Sequence, residues 1–192
     1  NFSISKIILE GPENELQLTK NTQPAILTVS YSIFKVLKDE YGFDFKSFKY
    51  FAGHSLGEYS ALVASGSLNL EDAVNLVHER GKLMQAAVPE GQGAMLAVMG
   101  LTVNELISYI RKINFKSGVC EIANDNSPGQ IILSGNKNTL IEFSNYLKDE
   151  KKRSIFLPVS APFHCSLMKP AAEKLKLFLQ KTDFKNPSLH LI

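Results

Sequence analysis

The sequence has few cysteines, no long apolar run and little net charge, and each of these features argues against a class of protein. Two cysteines among 192 residues are too few for a disulfide framework, so we expect a reducing compartment and a cytoplasmic protein. No apolar run approaches the roughly 20 residues that cross a bilayer, and we expect no membrane partner. The formal net charge is only +2, since 21 basic residues nearly balance 19 acidic ones, and no nucleic-acid partner is expected.

What is present is the composition of an ordinary globular chain, with 44% hydrophobic and 21% charged residues. That hydrophobic content excludes an intrinsically disordered chain. The chain starts with Asn1 instead of methionine and ends at Ile192, inside a predicted strand. We therefore expect a fragment that is truncated at both ends.

Hydrophobic periodicity predicts an α/β chain. A helix is predicted to begin at Thr22, as N-cap, with Pro24 in its first turn, and to end near Tyr41. A short apolar strand over residues 48–52 precedes a helix rich in small residues. The order then becomes strand, helix, strand, strand, helix, strand, which is the ferredoxin-like order, and residues 91–158 are predicted to form a small inserted subdomain.

A Gly-His-Ser-Leu-Gly stretch, residues 53–57, lies between the predicted strand and the following helix. In that context the G-x-S-x-G pattern is typical of a nucleophile elbow, whose sharp turn presents the serine hydroxyl above the sheet. Ser55 is therefore a candidate nucleophile, and the Leu56 N–H a candidate donor to an oxyanion. We expect the glycines on both sides to remove Cβ atoms that would clash. The alternative is an ordinary strand–helix turn that contains a serine.

A serine nucleophile needs a base, and His164 is the strongest candidate of the four histidines. It follows a predicted strand and a rigid Ala-Pro pair at the start of a helix. No Asp or Glu lies convincingly at a strand end between Ser55 and His164, so the pattern favours a Ser–His dyad whose base is oriented by a carbonyl oxygen. The alternative is a packed, structural histidine. The other histidines adjoin the serine, lie on a polar helix face or fall in the last predicted strand: His54, His78 and His190.

Arg80 departs from the amphipathic pattern of its helix, because it lies between Val77 and Met84 on the apolar face. An unpaired buried guanidinium costs several kcal/mol, so Arg80 should meet a buried carboxylate or face a cavity that receives an anionic ligand. Gly81 beside it allows close approach of backbone or ligand. The alternative is an arginine that extends to solvent at the helix edge.

Several stretches of the sequence, in order over nearly the whole chain, resemble bacterial malonyl-CoA:acyl carrier protein transacylases. The resemblance is far more specific than the serine motif alone, because it includes the surroundings of Arg80 and His164. The matching stretches are residues 22–25, 53–62, 80–85, 93–95, 126–130, 162–165 and 167–170.

The resemblance implies a ping-pong acyl transfer. Ser55 would attack the malonyl thioester with His164 as base, and Arg80 would hold the malonyl carboxylate. Leu56 and Met84 would complete the substrate site. CoA would then leave, and the phosphopantetheine thiol of acyl carrier protein would take the malonyl group, with malonyl-CoA and the carrier protein as partners and no further cofactor or metal. The pathway implied is fatty acid biosynthesis.

The same resemblance implies an α/β-hydrolase-like core of residues 1–90 and 159–192, into which the ferredoxin-like subdomain of residues 91–158 is inserted. It also implies a role for Phe163. Related acyltransferase domains of polyketide synthases that prefer malonyl groups often have phenylalanine there, and a bulky ring beside the base would crowd an α-methyl group. Plain core packing is the alternative.

The resemblance is incomplete at both ends. Members of the family begin with a strand and a Gly-Gln-Gly-Ser-Gln loop whose glutamine supplies a second oxyanion donor, and that segment is absent here. The similar letters of Gly91-Gln92-Gly93 follow the Arg80 helix and are not assigned that role. The C-terminal part, with the residue whose carbonyl orients the histidine, is also absent, which puts the activity and folding of this span alone in question.

Three other functions stay open at this point. A serine hydrolase or thioesterase on a similar scaffold would release free acid without a carrier thiol. An acyltransferase domain of a polyketide synthase would use the same residues in another pathway. A non-enzymatic module could dock an acidic carrier protein through its lysines and arginines, and it would form no acyl adduct.

Overall fold

A computed structural model describes residues 3–159 and 161–192. Within those ranges, none of the helices combines the length and the apolar character needed to cross a membrane. The structure is mixed α/β, with two short 3-10 turns at Phe45–Ser47 and Ser166–Met168. The helices and strands, in chain order, are α1 (Ile4–Glu10), α2 (Glu13–Gln17), α3 (Thr19–Asp39), β1 (Tyr50–Phe51), α4 (Leu56–Ala64), α5 (Leu70–Ala87), β2 (Gly93–Met99), α6 (Val103–Ile113), β3 (Cys120–Ser127), β4 (Gln130–Asn136), α7 (Lys137–Asp149), β5 (Arg153–Phe156), α8 (Lys169–Leu179) and β6 (His190–Leu191).

The chain divides into two compact units. Unit one consists of the residues up to Lys82 together with Lys174–Ile192, and unit two is Leu83–Glu173. The inserted subdomain of residues 91–158 lies inside the second unit, and its boundaries stay a prediction.

Unit two contains an antiparallel sheet with strand order β3-β4-β2-β5. Together with α6 and α7 this is the ferredoxin-like order that the sequence predicts. Alternate residues of the strands point to one face and pack on the apolar sides of both helices, as the period of two requires. The buried residues of this core include Leu96, Val98, Leu133, Leu106 and Phe143.

Unit one places β1 and β6 side by side in parallel, with Tyr50 opposite His190 and Phe51 opposite Leu191. An apolar cluster lies among its helices, and α4 contributes to it directly after the serine motif. The cluster includes Leu27 of α3, Leu56 and Val63 of α4, and Leu76 and Val77 of α5. The start of α4 is thereby held by packing on two neighbouring helices.

The predicted start of the long helix is wrong. The helix α3 begins at Thr19 and not at Thr22, so Pro24 lies inside it. Proline has no N–H to bond the carbonyl of Lys20 four residues earlier. That carbonyl accepts a hydrogen bond from Nδ1 of His78 at 2.8 Å, and His78 is half-buried instead of lying in solvent.

Gly81 allows the backbones of α3 and α5 to approach closely. A Cβ atom at this position would lie 2.5 Å from the carbonyl oxygen of Thr19 and 2.6 Å from the Cα of Lys20. Of the two roles expected for this glycine, close approach of backbone is therefore the one observed. Arg80 directly precedes Gly81 on α5, so this close contact between the two helices also fixes the position of Arg80.

Candidate active site

Ser55 lies at the junction of β1 and α4, in the strand–turn–helix context that the sequence predicts. Its φ and ψ are 53° and −106°, a conformation that is rarely populated by a residue with a Cβ. Two hydrogen bonds close the turn, from the Gly57 N–H to the His54 carbonyl at 2.9 Å and from the Glu58 N–H to the Ser55 carbonyl at 3.2 Å. Strain of this kind is typical of a nucleophile elbow.

The two glycines of the motif have different roles. A Cβ atom on Gly53 would overlap the backbone of Gly57 and Glu58. A Cβ atom on Gly57 would meet no atom within 4 Å, so the expectation that both glycines prevent a clash is wrong for Gly57. The reason is that the chain folds back over residue 53, whereas residue 57 already lies on the open side of α4.

We expect Gly53→Ala to lower the free energy of unfolding of the intact protein by about 2 kcal/mol or more, because the turn must open to admit the methyl group. Gly57→Ala is the matched control, and it should be neutral or stabilising by roughly 0.5–1 kcal/mol, since alanine favours the helix. Chemical denaturation measures both. Equal losses for the two variants would contradict the assigned difference.

Arg80 points from α5 to the serine. Its Nη2 donates to the Oγ of Ser55 at 2.9 Å, and its Nη1 donates to the Oε1 of Gln23 at 2.6 Å. Its Cζ lies 5.8 Å from the ring centroid of Tyr59. The inward direction predicted from the apolar face is therefore observed, and the side chain is half-buried.

The hydrogen-bond partners of the Arg80 guanidinium, Gln23 and Ser55, are neutral groups. Ion pairs join Lys35 to Asp39 and Lys82 to Glu79, and Arg80 belongs to neither. Burial lowers the pKa of Arg80 from its usual value, although the nearby groups of Tyr59 and Glu58 oppose that effect. A half-buried guanidinium whose hydrogen-bond partners are neutral has the capacity to bind an anionic group.

Gln23 is a residue of this cluster that sequence reasoning did not single out. It lies on α3 with 7% of its surface exposed, and it accepts a hydrogen bond from Arg80 across 57 positions of sequence. Burying an amide costs free energy unless the amide is hydrogen-bonded, so the bond to Arg80 indicates why a glutamine lies at this buried position. The available signal was an amide on the buried face of a helix, directly before a proline.

Leu56 is the first residue of α4. Its side chain is buried in the apolar cluster of unit one. Its N–H belongs to the first turn, whose donors have no acceptor within the helix, and the positive end of the helix dipole lies there. Its side chain is therefore structural, while its N–H retains the predicted capacity to bind an oxyanion.

His164, Phe163 and Met84 belong to unit two. His164 is exposed, and its φ of 60° lies in the left-handed region. Since Ser55 belongs to unit one, the pairing of the two residues as a catalytic dyad stays a prediction. The described residues contain no group of three or more His, Cys, Asp or Glu arranged to hold a metal ion.

Phe163 and Met84 share an apolar environment. Met84 is 8% exposed and packs in a cluster with Val88 and Met168. The Phe163 ring packs on that cluster and also on a second one, which contains Met95. These contacts are core packing, and the predicted roles of both residues toward a substrate stay predictions.

An α/β fold that holds a serine at a strained strand–helix junction defines the class of proteins with a nucleophile elbow. The guanidinium of Arg80 donates a hydrogen bond to the hydroxyl of that serine. The acyl transferase domain family matches residues 1–192, and the chain belongs to that family.

The chain is 45% identical to the malonyl CoA-acyl carrier protein transacylase of Bacillus subtilis (strain 168), over 98% of this chain and 59% of the relative. The crystal structure of the transacylase of that name from Clostridium perfringens matches with a TM-score of 0.90 at 43% identity, over 99% of this chain and 58% of that one. The chain thus spans about three fifths of the length of these relatives. The predicted fold class and the resemblance are confirmed.

A second similar structure is a malonyl-transacylase in complex with a type II polyketide acyl carrier protein. It matches with a TM-score of 0.92 at 38% identity, over 100% of this chain and 61% of that one. The similarity therefore extends to a protein that was solved with its carrier protein bound.

Proposed function

We propose that this chain carries the malonyl-transfer site of a malonyl-CoA:acyl carrier protein transacylase that serves fatty acid biosynthesis. The observation that carries the proposal is the 2.9 Å hydrogen bond from Arg80 Nη2 to Ser55 Oγ. A malonyl group has a single methylene between its carboxylate and its thioester carbonyl. A carboxylate bound to Arg80 therefore lies within the same few ångströms as the carbonyl that Ser55 attacks, which fits a short diacid.

The first half-reaction makes an acyl-enzyme. Ser55 Oγ attacks the thioester carbonyl of malonyl-CoA while His164 accepts the hydroxyl proton, and the Leu56 N–H at the start of α4 stabilises the oxyanion. The carbon–sulfur bond then breaks. CoA leaves as the thiol with the proton that His164 held, and the malonyl group remains as an ester on Ser55.

The second half-reaction returns the enzyme to its starting state. The phosphopantetheine thiol of acyl carrier protein loses its proton to His164 and attacks the ester carbonyl. The carbon–oxygen bond to Ser55 breaks, Ser55 recovers the proton, and malonyl-acyl carrier protein is released. The thioester and the thiol are substrates, and the scheme needs no further cofactor.

Arg80 selects the acyl group in this scheme. Its planar fork binds the malonyl carboxylate in two hydrogen bonds, after Nη2 turns from the Ser55 hydroxyl to the substrate. Gln23 accepts from Nη1 and keeps the guanidinium oriented while this happens. An uncharged acetyl group gains nothing from the guanidinium and leaves it without an anion, so malonyl-CoA is the preferred donor.

The relatives support the identity of both partners. Their names state that they transfer malonyl from CoA to acyl carrier protein, and one was solved as a complex with such a carrier. A cytoplasmic location stays a prediction from the low cysteine content.

The proposal is tested by incubating the intact protein with malonyl-CoA or acetyl-CoA and measuring its mass. We expect a single malonyl adduct, little acetyl adduct, and loss of the malonyl group to added holo-acyl carrier protein. Equal loading by the two donors would contradict the role of Arg80. Rapid release of free malonate without a carrier would indicate a hydrolase, and carrier binding without any adduct would indicate a docking module.

A further inference from the structure

The backbone at His164 has a conformation that needs external support. Its φ of 60° is disfavoured for any residue with a Cβ. The side chain is exposed, so burial of the imidazole contributes little to holding this conformation. The residues on either side of His164 make contacts that help to fix the turn.

On the N-terminal side the turn is fixed by packing. Ala161 and Pro162 are buried, and the Pro162 ring occupies the space that a Cβ atom on Gly93 would fill. The thiol of Cys165 donates to the Pro162 carbonyl at 3.2 Å. These contacts fix the backbone on the N-terminal side of His164.

On the C-terminal side the turn is fixed by a carboxylate. The N–H and the hydroxyl of Ser166 both donate to Glu121, to Oε2 and Oε1 respectively, each at 2.7 Å. Glu121 lies on the edge strand β3, in register with Ser134 of the neighbouring strand β4. The contact therefore ties the segment two residues after His164 to the sheet.

The chemistry of this contact makes it stronger than an ordinary hydrogen bond. Both bonds are charge-assisted and they use both oxygens of one carboxylate. Ser166 begins the 3-10 turn that leads into α8, and a negative charge is favoured at the N-terminal end of such a segment.

We infer that Glu121 is a positioning residue for His164, an inference that rests on the proposed function. Without the carboxylate, Ser166 loses both acceptors and the turn relaxes toward an ordinary φ. The imidazole then moves from the place in which it takes and returns the proton of the nucleophile. A displacement of about 1 Å can cost on the order of 100-fold in rate.

The test compares Glu121→Ala, Glu121→Gln and the control Glu142→Gln in the intact protein. Glutamine keeps the reach of glutamate and can accept from the Ser166 N–H, whereas Glu142 is an exposed carboxylate on α7. For Glu121→Ala we expect kcat of malonyl transfer to fall at least about tenfold, with KM for malonyl-CoA within about twofold. Glu121→Gln should recover to within about threefold of wild type, and Glu142→Gln should match wild type.

The second readout is the NMR resonance of the His164 imidazole, which does not depend on the proposed function. We expect it to shift or broaden in Glu121→Ala and to return to its position in Glu121→Gln, with thermal unfolding of both close to wild type. An unchanged His164 resonance in Glu121→Ala, or kcat within twofold of wild type in an active enzyme, would overturn the inference. If wild type transfers no malonyl group, the proposed function fails and the resonance alone decides the positioning role.

Discussion

Replacing Ser55 with alanine is expected to abolish the malonyl adduct of the intact protein. Alanine keeps the Cβ atom in the strained turn but removes the oxygen that forms the acyl bond. Loss of the nucleophile in a serine enzyme reduces turnover by about 10⁶-fold. Intact mass after incubation with malonyl-CoA and the rate of malonyl transfer to holo-acyl carrier protein measure the effect.

Ser60→Ala is the matched control for this experiment, because Ser60 lies on the same helix, one turn and a half beyond the junction. It should load as wild type does. An adduct of unchanged yield in Ser55→Ala would place the acyl group on another residue and would remove Ser55 from the mechanism. Unfolding curves of both variants verify that the loss is chemical and not a loss of fold.

Replacing Arg80 with alanine is expected to change the choice of acyl group. Truncating one partner of a buried charged pair costs about 2–5 kcal/mol, so kcat/KM for malonyl-CoA should fall by at least about 30-fold. Acetyl-CoA has no carboxylate, so its slow loading should stay within about threefold. The measurement is the ratio of kcat/KM for the two donors in the same preparation.

Two further variants make the Arg80 result interpretable. Arg80→Lys keeps the positive charge but loses the fork that reaches Gln23 and Ser55 together, so most of the malonyl preference should be lost. Lys82→Ala, an exposed cation on the same helix, should change neither donor. An equal fall for malonyl-CoA and acetyl-CoA in Arg80→Ala would mean that Arg80 only supports the fold.

The local features of the candidate site follow from short-range sequence rules. The strained serine at the start of α4 depends on a strand, a Gly-x-Ser-x-Gly turn and a helix that are contiguous in sequence. The inward direction of Arg80 depends on the 3.6-residue period of α5. The strained serine and the direction of Arg80 could both be predicted, because each depends only on residues that are close to it in sequence.

The two incorrect predictions, the helix start at Thr22 and the role of Gly57, concern features that depend on tertiary contacts. The helix start at Thr22 was wrong because the carbonyl left free by Pro24 is satisfied by His78, which is 58 positions away. The role of Gly57 was wrong because the space around a glycine depends on what packs against it. No local pattern contains either fact.

The amino-acid sequence by itself determined the order of helices and strands from α3 onward, the serine at the junction of β1 and α4, and the face of the helix on which Arg80 lies. Only the tertiary structure decided what each of these groups touches. Gln23 meets Arg80 across 57 positions and Glu121 meets Ser166 across 45, and neither pair is part of a repeating pattern. The physical reason is that periodicity specifies which side of an element is buried, whereas the partner of a buried polar group depends on how separate elements pack.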